Sequence, residues 1–170
     1  ASDYRFVPTD SKTIRYGLGA VKGVGEPAVR AILAARESGG PFKDLFDFAC
    51  RVDKRMANRR VIEALIRAGA FDTIAPTQPV DRHTLLASVG IAMEAAEQIA
   101  ANALQSGLFD VPGEAAAPMV DYVKVRPWGE REKLKEEKLA IGFFLSGHPF
   151  NAFKEEVRRF LAHRCGCTAE

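Results

Sequence analysis

Gly17-Leu18-Gly19-Ala20-Val21-Lys22-Gly23-Val24-Gly25-Glu26-Pro27 decides how the rest of the chain is read. Glycines at this density free the backbone for tight turns and for close approach to another molecule. The stretch therefore reads as a hairpin rather than a helix. Immediately after it, Glu26 and Pro27 suit a first helical turn, because proline has no N–H to leave unpaired there and the helix dipole favours an acid. Val29, Ile32 and Leu33 then recur at helical spacing as far as the stop at Gly39-Gly40, so a helix is expected from about Glu26 to Ser38.

An apolar residue, Lys, Gly, an apolar residue, Gly and then a helix is the pattern of a helix-hairpin-helix motif. In such a motif the backbone N–H groups of the hairpin and of the following helix N-terminus face a phosphate, and Lys22 adds positive charge. Lys22, Gly23, Val24 and Gly25 are the first candidate DNA-binding residues. The same glycines also fit a tight connection that binds nothing. A dinucleotide-binding reading is weaker, since no strand–GxGxxG–helix context surrounds them.

A second candidate unit follows. Pro41 restarts the chain, and Leu45, Phe46, Phe48, Ala49 and Val52 predict a short apolar helix. Five of the ten residues from 51 to 60 are basic: Arg51, Lys54, Arg55, Arg59 and Arg60. Asn58 is placed to cap a helix carrying Val61, Ile62, Leu65 and Ile66 and ending at Gly69. A basic turn opening into an apolar helix repeats the first arrangement without its Gly-x-Gly, so it reads as a degenerate second helix-hairpin-helix. Lys54, Arg55, Arg59 and Arg60 are its candidate DNA contacts, and a solvated basic face is the alternative. Arg82 lies outside both units.

The 170 residues, 47% hydrophobic and 27% charged, describe an ordinary globular chain with room for one core or two small modules. No apolar run approaches the roughly 20 residues a bilayer requires. The net charge of +2 is unevenly spread: residues 1–72 hold 13 Lys/Arg against 9 Asp/Glu, residues 73–123 hold 1 against 6, and residues 124–170 hold 10 against 7. The first block thus suits nucleic acid, and the acidic middle does not. Three cysteines argue against a disulfide framework and for a reducing, cytoplasmic setting. The start at Ala-Ser-Asp, without Met or a targeting pattern, suggests a piece of a longer polypeptide.

Elsewhere, Tyr4, Phe6, Ile14 and Tyr16 flank Pro8-Thr9-Asp10-Ser11 and predict a small N-terminal β-hairpin lying as a lid on the helices. Asp81 opens a long helix whose stripe of Leu85, Leu86, Val89, Met93, Ala96, Ile99 and Ala103 is expected to be core. Gln105-Ser106-Gly107-Leu108-Phe109 follows, ahead of an acidic Ala/Pro/Gly-rich linker from Asp110 to Pro118. An adjacent Leu and Phe beside a flexible linker suggest a peptide that docks into a partner's pocket, with folding back onto the helix as the alternative.

From Glu130 to Leu139, Glu132, Glu136 and Glu137 alternate with Lys133, Lys135 and Lys138 as on a solvated helix. Gly142 to Pro149 reads as a buried apolar turn with His148 as a turn residue. A last helix carries Phe150, Phe153, Val157, Phe160 and Leu161 on one face. His163, Cys165 and Cys167 lack the fourth ligand and second Cys pair of a zinc site, so no metal is expected. No nucleophile set or two-metal carboxylate pair is recognisable, and no catalytic residue is assigned.

Ile14 to Glu26, Phe42-Lys-Asp-Leu-Phe-Asp-Phe48, Asn58-Arg-Arg-Val61 through Gly69-Ala-Phe-Asp72, and Glu137 to Pro149 together resemble, in order and over nearly the whole chain, the bacterial replicative (family C) polymerases, the DNA polymerase III alpha subunits. The resemblance implies a mostly α segment lying C-terminal to the palm and fingers. It would comprise a β-hairpin plus tandem helix-hairpin-helix holding duplex DNA (1–74), a long helix (75–104), a clamp-binding peptide and linker (105–119), and a C-terminal helical pair (120–170) leading to an OB domain. It also makes Gln105, Ser106, Gly107, Leu108 and Phe109 a sliding-clamp motif, with Gly107 smaller than the family often has. The catalytic carboxylates and the Mg2+ they use would lie elsewhere in the parent polymerase, as would contacts to other replicase subunits. A repair nuclease or ligase could share the hairpin but gives no reason for the Leu-Phe peptide, and a purely structural adaptor would need neither peptide nor basic patch.

Overall fold

A computed structural model describes residues 2–74, 80–106 and 121–165, with side chains described as far as Asn102–Ala103 in the second segment and Leu161 in the third. It is mostly α, with a small antiparallel β-hairpin at the N-terminus. The strands β1 (Val7–Pro8) and β2 (Ile14–Arg15) pair Val7 with Arg15 and Pro8 with Ile14. The Asp10 carboxylate closes their turn by accepting from the amides of Lys12 and Thr13, both at 2.8 Å. This ribbon is shorter than the sequence pattern predicts, and Phe6 and Ile14 stay exposed.

Six α-helices follow among the described residues: α1 (Glu26–Gly39), α2 (Leu45–Arg51), α3 (Arg59–Arg67), α4 (Arg82–Ser106), α5 (Glu130–Ile141) and α6 (Lys154–Cys165). Local chemistry fixes their ends. Asp44 caps α2 by accepting from the Asp47 amide at 2.7 Å, and Asn58 caps α3 by accepting from Val61 at 3.2 Å. Gly40, at φ 72°, and Gly69, at φ 81°, take the left-handed turns after α1 and α3 that side chains resist.

Among the described residues one core joins α1 to α5. Val29, Ile32, Leu45, Phe48, Ile62, Leu65, Ile66, Leu85, Val89 and Ala140 are all buried within one continuous apolar cluster. Phe42, Phe48 and Phe71 meet edge to face at 4.9 and 5.1 Å. Arg51 seals this corner: its guanidinium lies over the Phe42 ring, bonds Asp47 at 2.9 Å, and donates to the carbonyls of Ala35 and Gly40 at 2.6 and 2.8 Å. The most N-terminal member of the basic run is thus a structural cation.

Three expectations are corrected. Of the expected α4 stripe, Leu85 and Val89 are buried and Leu86, Met93 and Ala96 half-buried, whereas Ile99 and Ala103 are exposed. The helix has 25 residues, whereas its partners α2 and α3 have 7 and 9, so α4 outruns the surface that could cover it. The turn after α5 is not buried either: Phe143 and Leu145 are exposed, as are Phe150, Phe153, Phe160 and Leu161 beyond it, and contacts such as Tyr16 beside Phe143 and the Arg131 guanidinium over the Phe153 ring cover them only in part.

The third correction concerns Glu137, expected on a solvated face, which is fully buried. One of its oxygens accepts from the amides of Leu145 and Ser146, at 2.7 and 2.8 Å, and from the Ser146 hydroxyl. The other faces Arg82, the residue outside both basic units, at 3.3 Å. Arg82 also grips Asp72 through Nε at 2.8 Å and donates to the Arg67 carbonyl at 3.2 Å, tying the end of α3 to the starts of α4 and the body of α5. Burial acts to raise the Glu137 pKa, but the two amides and the guanidinium outweigh it and hold the carboxyl below its usual range.

Breaking a buried pair strands a charge, so Arg82→Ala is expected to lower unfolding free energy by about 3 kcal/mol or more, read as a shift of the urea midpoint. Because the folded-state pKa of Glu137 is depressed, its contribution is present above the unfolded carboxylate value and lost as pH falls through the folded one. Stability should therefore drop as pH falls below about 4, and Glu137→Gln, less stable at neutral pH, should flatten that slope. A Gln variant with the wild-type acid profile counts against this assignment.

Candidate nucleic-acid interface

The first turn is built from alternating anchors and exposed positions. Leu18–Ala20 forms a short 3-10 turn inside the expected hairpin, with the Leu18 and Gly19 amides donating to the carbonyls of Asp3 and Tyr4 at 2.8 and 3.0 Å. Val21 and Val24 are buried, while Lys22, Gly23 and Gly25 face solvent. The Val24 amide donates to the Val21 carbonyl at 3.1 Å and closes the turn. Val24 is thus an anchor whose side chain faces inward.

The four glycines have different jobs. A Cβ on Gly17 would stand 2.6 Å from the Arg5 and Tyr4 backbone, and one on Gly19 would strike the Tyr4 ring, so both serve packing of the N-terminal segment. Gly23 is required by its φ of 83°. Gly25 has an ordinary φ of −78°, and its nearest neighbour would be Pro27 Cδ at 3.6 Å. Nothing inside the fold demands glycine at 25.

Gly25 is also the N-cap of α1, and no side chain caps that helix. Among the described residues the amides of Gly23 and Gly25 have no hydrogen-bond partner, and Pro27 contributes no N–H. An open helix N-terminus with free amides and its positive dipole end is a ready anion site. Glu26 stands in the first turn, but Arg30 pairs with it at 2.6 Å and reduces its repulsion of a phosphate. The Lys22 amide is already committed, donating to the Ala140 carbonyl of α5 at 2.8 Å, which leaves its ammonium as the group available for a ligand.

The second turn works differently. Val52 and Ala57 are buried at its ends, and the Asp53 carbonyl accepts from Met56 and Ala57, both at 2.9 Å. Since Asn58 already caps α3, this turn offers cations rather than amides. Arg55 and Arg60 are exposed and form no ion pair among the described residues. Lys54 pairs with Glu97 of α4 at 3.0 Å, and Arg59 with Glu63 at 2.8 Å. Both cations are more than half exposed, and such pairs contribute about 0–1 kcal/mol, little resistance to exchange for a phosphate. The two turns have different neighbours: Lys22 lies against the end of α5, and Lys54 against α4.

Gln105 and Ser106 end α4 with their side chains outside the description, and Gly107, Leu108 and Phe109 lie outside the described residues altogether. The side chains of His163 and Cys165, and all of Cys167, lie outside it as well. Glu137 is the residue the sequence reading misplaced, and the structural role of its partner Arg82 was not foreseen. Glu137 falls three residues after Leu134 and three before Ala140, on the apolar stripe of α5, and that register was the available signal. No described helix is long and apolar enough to cross a membrane.

Comparison with known proteins agrees with this geometry. The chain is 54% identical over 158 residues to DNA polymerase III subunit alpha of Neisseria meningitidis serogroup B, covering 93% of the chain and 13% of that protein. The subunit of the same name from Pseudomonas aeruginosa is 44% identical over 179 residues, covering 96% of the chain and 15% of its own length. That of Escherichia coli K12 is 41% identical over 161 residues, covering 93% and 14%. The chain thus spans about one seventh of the curated relatives it matches. A family model described as the helix-hairpin-helix motif matches residues 1–85, the half that contains both turns. With its glycine turn, open helix N-terminus and basic second turn inside that match, the chain belongs to the helix-hairpin-helix family.

Proposed function

We propose that this chain is a non-catalytic segment of a replicative DNA polymerase alpha subunit that holds duplex DNA without reading its sequence. The observation that carries the reading is the uncapped N-terminus of α1, preceded by solvent-facing Gly23 and Gly25 and flanked by Lys22. Amides and a helix dipole contact phosphate oxygens, which every sequence presents alike, so such contacts carry no base readout. Lys54, Arg55, Arg59 and Arg60 add charge along the backbone. DNA-directed polymerisation, its Mg2+ and its other subunits belong to the parent protein, in the cytoplasm.

If two to four phosphates are neutralised, log affinity for a duplex should fall with log salt at a slope of roughly −2 to −4. Bulky replacements at Gly23 and Gly25 should weaken binding more than loss of the exposed Arg158 of α6. A slope near zero, or strong preference for one sequence, contradicts this reading. The purified chain supplied with Mg2+ should not extend a primed template, and template-dependent extension would place catalysis within these residues.

We further propose that Gln105, Ser106, Gly107, Leu108 and Phe109 dock as a short extended peptide on a ring-shaped sliding clamp and tether the polymerase for processive synthesis. The support is chemical: α4 has left the core by Ile99, and an adjacent aliphatic and aromatic pair follows it in sequence, ahead of an acidic linker. Leu108 and Phe109 would fill a pocket, with Gln105 bonding at its rim. Truncating either apolar residue to Ala should cost about 2 kcal/mol of clamp binding, roughly thirtyfold in Kd, with Tm unchanged. Intact clamp binding by Phe109→Ala together with a lowered Tm would assign Phe109 to the core instead.

A further inference from the structure

We propose that the C-terminal turn of α5, Ala140 to Gly142, is a positioning element for Lys22, setting the direction from which that side chain meets phosphate. This rests on the reading of the first turn as a DNA contact. Residues far apart in sequence meet there. The Lys22 amide donates to the Ala140 carbonyl at 2.8 Å, so an amide of the hairpin and a carbonyl in the last turn of a helix satisfy one another. Gly142 turns the chain at φ 97°, a conformation that side chains resist. Lys22 Cε and Nζ lie 3.5 Å, an ordinary contact distance, from where a Cβ on Gly142 would stand. The ammonium therefore rests over the negative end of the α5 dipole.

The platform is itself held. Below it, Glu137 takes the Leu145 and Ser146 amides on one oxygen, fixing the segment that leaves Gly142. Beside it, the Phe143 ring meets Tyr16 at 5.9 Å, at the entry to the hairpin. On this proposal the α5 terminus narrows the directions open to the flexible Lys22 side chain before a ligand arrives, which lowers the entropy lost on binding. Val21 and Val24 anchor the turn in the core but leave the direction of Lys22 open. The α5 terminus supplies that direction.

The test is a double-mutant cycle on duplex affinity, measured by fluorescence anisotropy with a labelled 20-base-pair duplex at two salt concentrations. Lys22→Ala should weaken binding and reduce the salt slope by about 1. Gly142→Val, which resists the left-handed turn, should reproduce most of that loss, and Gly142→Asn, which tolerates it, should bind within about twofold of the parent. The double variant Lys22→Ala/Gly142→Val should bind no more weakly than Lys22→Ala alone. Circular dichroism establishes folding, and Gly142→Ala, with the same backbone strain and less bulk, replaces the valine variant if that one misfolds. Unchanged affinity at position 142 with a loss at Lys22, or two losses that add, overturns the positioning role alone. Unchanged affinity and slope in Lys22→Ala overturns the reading of the hairpin and this proposal with it.

Discussion

The buried contact between Arg82 and Glu137 is the constraint on which the helical arrangement depends. Charges leave water only at high cost, and they remain ionised inside a fold when each is met by an opposite charge and by hydrogen bonds. Here both conditions hold: Glu137 receives two amides, a hydroxyl and a guanidinium, and Arg82 divides its donors among Glu137, Asp72 and the Arg67 carbonyl. The apolar cluster buries Leu85, Val89 and Ala92 of α4 and Ala140 and Ile141 of α5, and the charged set adds bonds that link the same two helices to the end of α3.

From this follows a division of labour between two turns of similar outline. The first leaves backbone amides open at a helix N-terminus and holds its one cation against a neighbouring helix. The second caps its helix internally with Asn58 and offers loosely paired side chains instead. The small residues of the first turn leave its amides open to close approach, whereas the second turn presents long cations and has no glycine.

Much of this was legible from residue order. Asn58 as a cap, Pro27 in a first turn, and Gly40 and Gly69 as terminators mark α1 and α3 by local chemistry, and local chemistry is what a sequence displays. What escaped is non-local. Glu137 sits amid alternating Glu and Lys, so its neighbours in sequence signal solvent while its partners, Arg82 and residues 145–146, arrive from elsewhere. Arg51 reads as one more basic residue of a run, although carbonyls 11 and 16 positions earlier claim it. The reach of α4 past Ala95 was likewise hidden, because periodicity shows which face is apolar but not how far a partner extends. Of the candidate contacts, Lys22, Gly23, Gly25, Arg55 and Arg60 lie at the surface as a ligand would need, whereas the Val24 side chain supports the turn from within.

Gly25 carries a consequence for anyone who would make this chain sturdier. It is an N-cap with ordinary dihedrals and space around it, so serine or aspartate would fit and cap α1, a gain of a few tenths of a kcal/mol. A stabilisation campaign ranking substitutions by folding alone would choose that change early. Under the proposed duplex reading, the new oxygen would occupy the opening meant for a phosphate, and an aspartate would add repulsion. Heat resistance and grip on the duplex would then compete for a single atom's worth of room.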